Sequence, residues 1–128
     1  MAANNKQRQV KEIVKCGKDP AYFFNKHVQI QHPTRGTIPF KTYKFQDECV
    51  NDFNEHRFNV IVKSRQLGLS TLTAAYAVWL AIFYKDKNIL VIATKLAVAM
   101  NFIKKVKTAL RSLPPWLVLP EITTNNKQ

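Results

Sequence analysis

The chain has 128 residues, 46% of them hydrophobic and 11% aromatic, which suffices for one cored domain and argues against disorder. Twenty basic against 8 acidic residues leave a net charge of +12, and such a balance points to a polyanionic partner, most commonly nucleic acid. Cys16 and Cys49 lie far apart without metal-ligand spacing and fit a reducing compartment, and the polar N-terminus has no apolar signal core.

In chain order, a mixed polar segment over residues 1–18 contains a helix around Val10 to Lys15 that stops before Gly17. Asp19-Pro20 is a helix start, with Asp as N-cap and Pro in the first turn, launching Ala21 to His27. Val28 to Gln31 alternates like a strand, residues 33–37 form a turn, and Ile38-Pro39-Phe40 is a second extended piece. Phe45 to Asn54 reads as a helix with Phe45, Cys49, Val50 and Phe53 on one side. Phe58 to Val62 is a β-branched strand, followed by a helix from about Gly68 to Tyr84. That helix lies in an uncharged stretch whose strongly apolar part falls short of the roughly 20 residues needed to span a bilayer, so burial against a sheet is expected. Ile89 to Ala93 is a second buried strand. Leu96, Met100, Ile103, Val106, Leu110 and Leu113 then mark one face of an amphipathic helix, with Lys95, Lys104, Lys105, Lys107 and Arg111 elsewhere around it, before Pro114-Pro115 ends it. Two apolar strands joined by a crossover helix predict an α/β fold of the P-loop NTPase type, with a mostly parallel sheet flanked by helices.

The segment with most chemical content runs from Lys63 to Thr71: Lys-Ser-Arg-Gln-Leu-Gly-Leu-Ser-Thr. Strand, polar loop, Gly-x-Ser-Thr and helix is the order of a Walker A phosphate-binding loop, in which backbone N–H groups face the anion. With Gly68 as the second glycine of G-x-x-x-x-G-K-[ST] and Ser70 as its hydroxyl, Lys63 stands at the first glycine and Leu69 at the usual lysine. The cation has moved to the strand end, and a flexible Lys63 or Arg65 can reach phosphate from there. Ser70 is the expected Mg²⁺ ligand, with Thr71 next to it, and Gly68 lets the backbone approach phosphate closely. Arg65 alternatively stabilises the transferring phosphoryl group in the manner of an arginine finger.

Several segments, in order, resemble the ATPase domain of tailed-phage terminase large subunits, the motors that package bacteriophage DNA. These are Cys16 to Phe23, Gln31 to Phe40, Tyr43 to Gln46, Ser64 to Gly68 and Leu110 to Leu117. The resemblance implies that Gln46 reads the adenine edge, for which its carboxamide offers a donor and an acceptor. Tyr43 or Phe45 would stack on the base, with core packing favoured for Phe45. It implies a nucleotide site built from Gln46, Lys63, Ser64, Arg65, Gln66, Leu67, Gly68, Leu69, Ser70 and Thr71. Lys63 and Arg65 would be its catalytic cations, Ser70 its metal ligand, and ATP with Mg²⁺ its cofactors.

The same resemblance implies a leader over residues 1–42 packed on an ATPase portion over residues 43–128. The implied activity is that of an ATP hydrolase driving double-stranded DNA into a procapsid. Its partners would be the portal protein and the small terminase subunit, in a ring oligomer in the host cytoplasm, transiently at the procapsid portal and without a membrane. Thr94-Lys95 stands where such motors couple nucleotide to DNA. Asp86 and Glu121 are the acids after the loop, neither at a strand end, so no Walker B pair is present and turnover by this chain alone is not expected. The competing expectations are a non-catalytic basic nucleic-acid-binding module and a helicase-like P-loop motor. His27, His32 and His56 show no ligand spacing and are expected to be structural or exposed.

Overall fold

The computed structural model describes residues 1–118; Glu121 and the rest of 119–128 lie outside the described residues. Helix α1 (Ala2–Lys18) is far longer than its apolar content suggests, and only its last turns reach the core, through Ile13 and Cys16. Asp19 ends α1 and begins α2 (Pro20–His27). Its N–H donates to the Lys15 carbonyl at 3.2 Å, and its Oδ1 accepts from the Tyr22 N–H at 3.1 Å. One extended residue with Pro20 behind it therefore satisfies a helix end and a helix start.

Strands β1 (Gln29–His32) and β2 (Gly36–Pro39) form an antiparallel hairpin in the register Gln29↔Pro39, Ile30↔Ile38, Gln31↔Thr37 and His32↔Gly36. Gly36 supplies the positive φ of +72° that the turn requires. His32 Nδ1 accepts from the N–H groups of Thr34 and Arg35, each at 3.2 Å, and so closes the turn. Three further helices follow: α3 (Lys44–Glu55), α4 (Leu69–Phe83) and α5 (Leu96–Arg111).

Helix α4 is apolar almost all round and lies at the centre, as such a helix must. Leu72, Ala75, Val78 and Trp79 meet Phe23 and Phe24 of α2, Val50 of α3, and Ala109, Leu113 and Leu117 in and beyond α5. The Trp79 indole N–H donates to the Cys16 carbonyl at 2.8 Å, tying α4 to the end of α1. Phe83 packs edge-on against Phe23 with centroids 5.5 Å apart.

The expected parallel sheet does not form. Among the described residues the β1–β2 hairpin is the sheet, and the molecule is a helical assembly carrying that hairpin. Phe58 to Val62 and Ile89 to Ala93 run beside α4 and α5 without regular secondary structure. The physical reason is that a strand is defined by a hydrogen-bonded neighbour, which β propensity alone does not supply. Nor are these runs buried: Phe58, Val60 and Val62 are 82, 93 and 95% exposed, and Leu90 and Ile92 are 83 and 85% exposed. The same holds for the first half of α5, where Leu96, Met100 and Ile103 face solvent while Val106, Ala109 and Leu110 pack. The uncharged helix expected against a sheet is instead buried among helices, and no described helix is long and apolar enough to cross a membrane.

Candidate functional site

The loop from Lys63 to Gly68 is exposed throughout and leads into α4 through two left-handed residues, Gln66 at φ +63° and Gly68 at φ +70°. Gly68 is the N-cap of α4 and has no side chain to cap it, so the first-turn N–H groups beyond it receive no side-chain hydrogen bond. No acidic residue occupies that first turn. A bare helix N-terminus of this kind favours an anion through both its N–H groups and its dipole.

Gln46 sits under the loop, 2% exposed. Its Oε1 accepts from the Tyr43 N–H at 3.0 Å, and its Nε2 donates to the Leu67 carbonyl at 3.1 Å. The Gln46 N–H also donates to the Tyr43 carbonyl at 2.9 Å, a backbone bond that closes the first turn of α3. The carboxamide whose donor and acceptor were expected to read adenine thus bonds the chain itself with both, one at the start of α3 and one on the loop. A Cβ at Gly68 would lie 2.9 Å from Gln46 Nε2 and would push that carboxamide from its place under the loop. Close by, Tyr43 and Phe45 stack on one another, centroids 5.8 Å apart and planes 6° apart. Tyr43 is 67% and Phe45 39% exposed, so Phe45, expected in the core, instead joins an open aromatic face.

The structure brings Lys63, Leu69 and Ser70 together. They line one open cavity of about 300 Å³ with Ile61, Thr73, Val91 to Ala93, Val98 and Phe102. Lys63 Nζ donates to the Ser64 carbonyl at 3.4 Å. Ser70 is exposed, Leu69 is buried, and Thr73 Oγ1 donates back to the Leu69 carbonyl at 2.8 Å. Arg65 and Gln66 are exposed on the loop outside this cavity's lining. Thr71 faces the other side of α4, where its Oγ1 accepts from Lys105 Nζ at 3.3 Å. Thr94 and Lys95 are exposed ahead of α5. Asp86 is exposed in the connector at φ +58°, and among the described residues beyond the loop it is the sole carboxylate.

A second concave surface lies across α4 from the loop. A cleft of about 560 Å³ runs between the hairpin and α5, lined by Gln31, Thr71, Lys104, Lys105, Lys107 and Arg111 among others, with no acid in its wall. The amphipathic pattern of α5 located these cations, and the tertiary fold adds that β1 stands opposite them.

Sequence reasoning missed one cluster. Glu12 and Cys16 are one turn apart on α1, and α2 carries His27 back against them. The i, i+4 pairing is legible in the sequence, but the third member depends on how α2 folds back. No protein-family model matches the chain.

Proposed function

We propose that the loop from Lys63 to Thr71 grips the phosphates of ATP in a DNA-translocating motor of the terminase large-subunit type. Mg²⁺ would sit at Ser70 and double-stranded DNA would be the polymer moved. The observation that carries this reading is the opening of α4. An uncapped, acid-free helix N-terminus follows a left-handed glycine, with Lys63 and Ser70 on the wall of one cavity. The exposed Tyr43–Phe45 stack beside the buried Gln46 offers an aromatic face for a base. Gln46 holds the loop in shape from beneath.

Titration of a fluorescent ATP analogue with Mg²⁺ into the purified chain tests the reading. A charge-assisted contact to phosphate contributes about 1.5–3 kcal/mol, so Lys63→Ala weakens binding about 10- to 100-fold if Lys63 is the main cation. Arg65→Ala reports on the alternative. Unchanged affinity in the folded double variant overturns the reading. Turnover by this chain alone is not expected, and multiple turnovers of ATP by the purified chain would contradict that part.

The cleft between α5 and the hairpin favours a second reading, a basic module that holds nucleic-acid phosphates without nucleotide chemistry. In that case DNA affinity survives Lys63→Ala and ATP leaves thermal stability unchanged.

A further inference from the structure

We propose that Glu12, Cys16 and His27 form a binding site for one transition-metal dication of the zinc class, clamping α1 to the end of α2. Their ligand atoms all lie within 4.8 Å of one another. Glu12 Oε1 is 3.0 Å from His27 Nε2 and 4.0 Å from Cys16 Sγ. In tetrahedral zinc coordination, with bonds of about 2.0 Å to N and O and 2.3 Å to S, these separations are roughly 3.3 and 3.5 Å. One distance opens by a few tenths of an ångström and the other closes by about half an ångström, changes within the reach of side-chain torsions.

The backbone presents the trio by ordinary means. Glu12 and Cys16 are one turn apart on the same face of α1, and Asp19 turns the chain so that His27, in the last turn of α2, meets that face. The supporting groups are those a metal site needs. The Tyr22 hydroxyl donates to Glu12 Oε1 at 2.8 Å and fixes the carboxylate. The His27 ring is held edge-on against Trp116, centroids 5.7 Å apart, and lies tilted against Phe23 at 6.3 Å. Cys16 is fully buried, while Glu12 and His27 keep side-chain exposures of 24 and 11%, so a fourth ligand water enters from their side. Sulfur, imidazole and a single carboxylate select a borderline-soft dication over Mg²⁺ or Ca²⁺. On binding, the thiol proton leaves to solvent, the Nε2 proton that His27 shares with Glu12 is given up as the ring takes its Nδ1–H form, and the thiolate and carboxylate charges balance the dication.

Co²⁺, a spectroscopic stand-in for Zn²⁺, is titrated into the reduced, purified chain. The expected result is a thiolate-to-cobalt charge-transfer band in the near ultraviolet that saturates at one ion per chain and is displaced by Zn²⁺. It persists in Cys49→Ser and is absent from Cys16→Ser. Tyr22→Phe, which removes only the supporting hydrogen bond, weakens affinity about 10-fold. Absence of the band in the folded wild-type chain, or its dependence on Cys49, overturns the site. Should Cys16→Ser fail to fold, Glu12→Gln and His27→Gln decide: unchanged Co²⁺ affinity in both, with helical circular dichroism intact, overturns it equally.

Discussion

Gln46 and Gly68 work as a pair, and neither is interpretable without the other. The glutamine is buried because both ends of its carboxamide find backbone partners, and one of those partners is the carbonyl preceding Gly68. The glycine combines φ +70° with a Cβ direction that ends 2.9 Å from that carboxamide. Gly68→Ala therefore meets a left-handed backbone and displaces the Gln46 carboxamide, and is expected to destabilise the fold by about 1–3 kcal/mol. Thermal denaturation measures this, and a loss indistinguishable from that of Gly36→Ala, whose Cβ meets open space, would assign it to φ alone.

Two titrating groups near the α1–α2 junction set opposite ends of the pH profile. Burial pushes the Cys16 thiol up to about 12 from 9.0, and the neighbouring Glu12 charge adds to the rise. A raised folded value stabilises fully below pH 9.0 and is lost as pH climbs toward about 12. Burial also pushes the Glu12 carboxyl upward, but hydrogen bonds from Tyr22 and His27, with the charges of His27 and Lys26, outweigh it and leave a net lowering. That contribution is complete above the ordinary value of 4.5 and disappears as pH falls below it. Denaturant melts of Glu12→Gln should accordingly lose the acid limb, while Cys16→Ala should shrink the alkaline one without abolishing it, since Tyr22, Cys49 and Tyr76 are raised as well. A wild-type profile flat from pH 9 to 11 would contradict the second expectation.

Helix α5 divides its work along its length. Its second half packs on α4 and turns Lys104, Lys105, Lys107 and Arg111 toward the hairpin, while its first half leaves Leu96, Met100 and Ile103 open. Lys105 joins the two sites, because its ammonium donates to Thr71, the residue after the Ser70 that lines the loop cavity. If the cleft holds DNA phosphates, each cation contributes about one unit to the slope of log affinity against log salt. Lys104→Ala with Arg111→Ala should lower that slope by about 2, leave sequence preference unaltered, and spare the Lys105–Thr71 contact. A slope unchanged by the pair would remove the cleft as a nucleic-acid surface.

For the whole molecule, the open apolar surface is the dominant physical fact. Two β-branched runs and half of α5 present Phe58, Val60, Val62, Leu90, Ile92 and Leu96 to water. Patches of this kind drive association. The chain is expected to bind an apolar dye and to self-associate with rising concentration in sedimentation, and Val60→Lys with Leu90→Lys should reduce both. A monodisperse wild-type chain with no dye uptake would show these residues covered in solution.

Much of this architecture was legible from local chemistry. Asp19-Pro20 announced α2, the alternating Val28 to Gln31, the turn over 33–37 and the extended Ile38 to Phe40 marked the segments of the hairpin without pairing them, apolar periodicity placed α3 and α5, and an uncharged apolar stretch placed α4. Each depends on residues within a turn or two of one another, which is why composition and spacing suffice. The parallel sheet was misread because apolar runs at Phe58 and Ile89 specify only a preference for extended backbone. Pairing is a relation between segments, and among the described residues neither run has a paired neighbour. The candidate site divides in the same way. The helix-start glycine, the hydroxyl and the displaced lysine stand in the sequence between Lys63 and Ser70. The burial of Gln46 beneath Leu67, the cleft facing β1 and the meeting of His27 with Glu12 and Cys16 are long-range contacts that arise when helices pack.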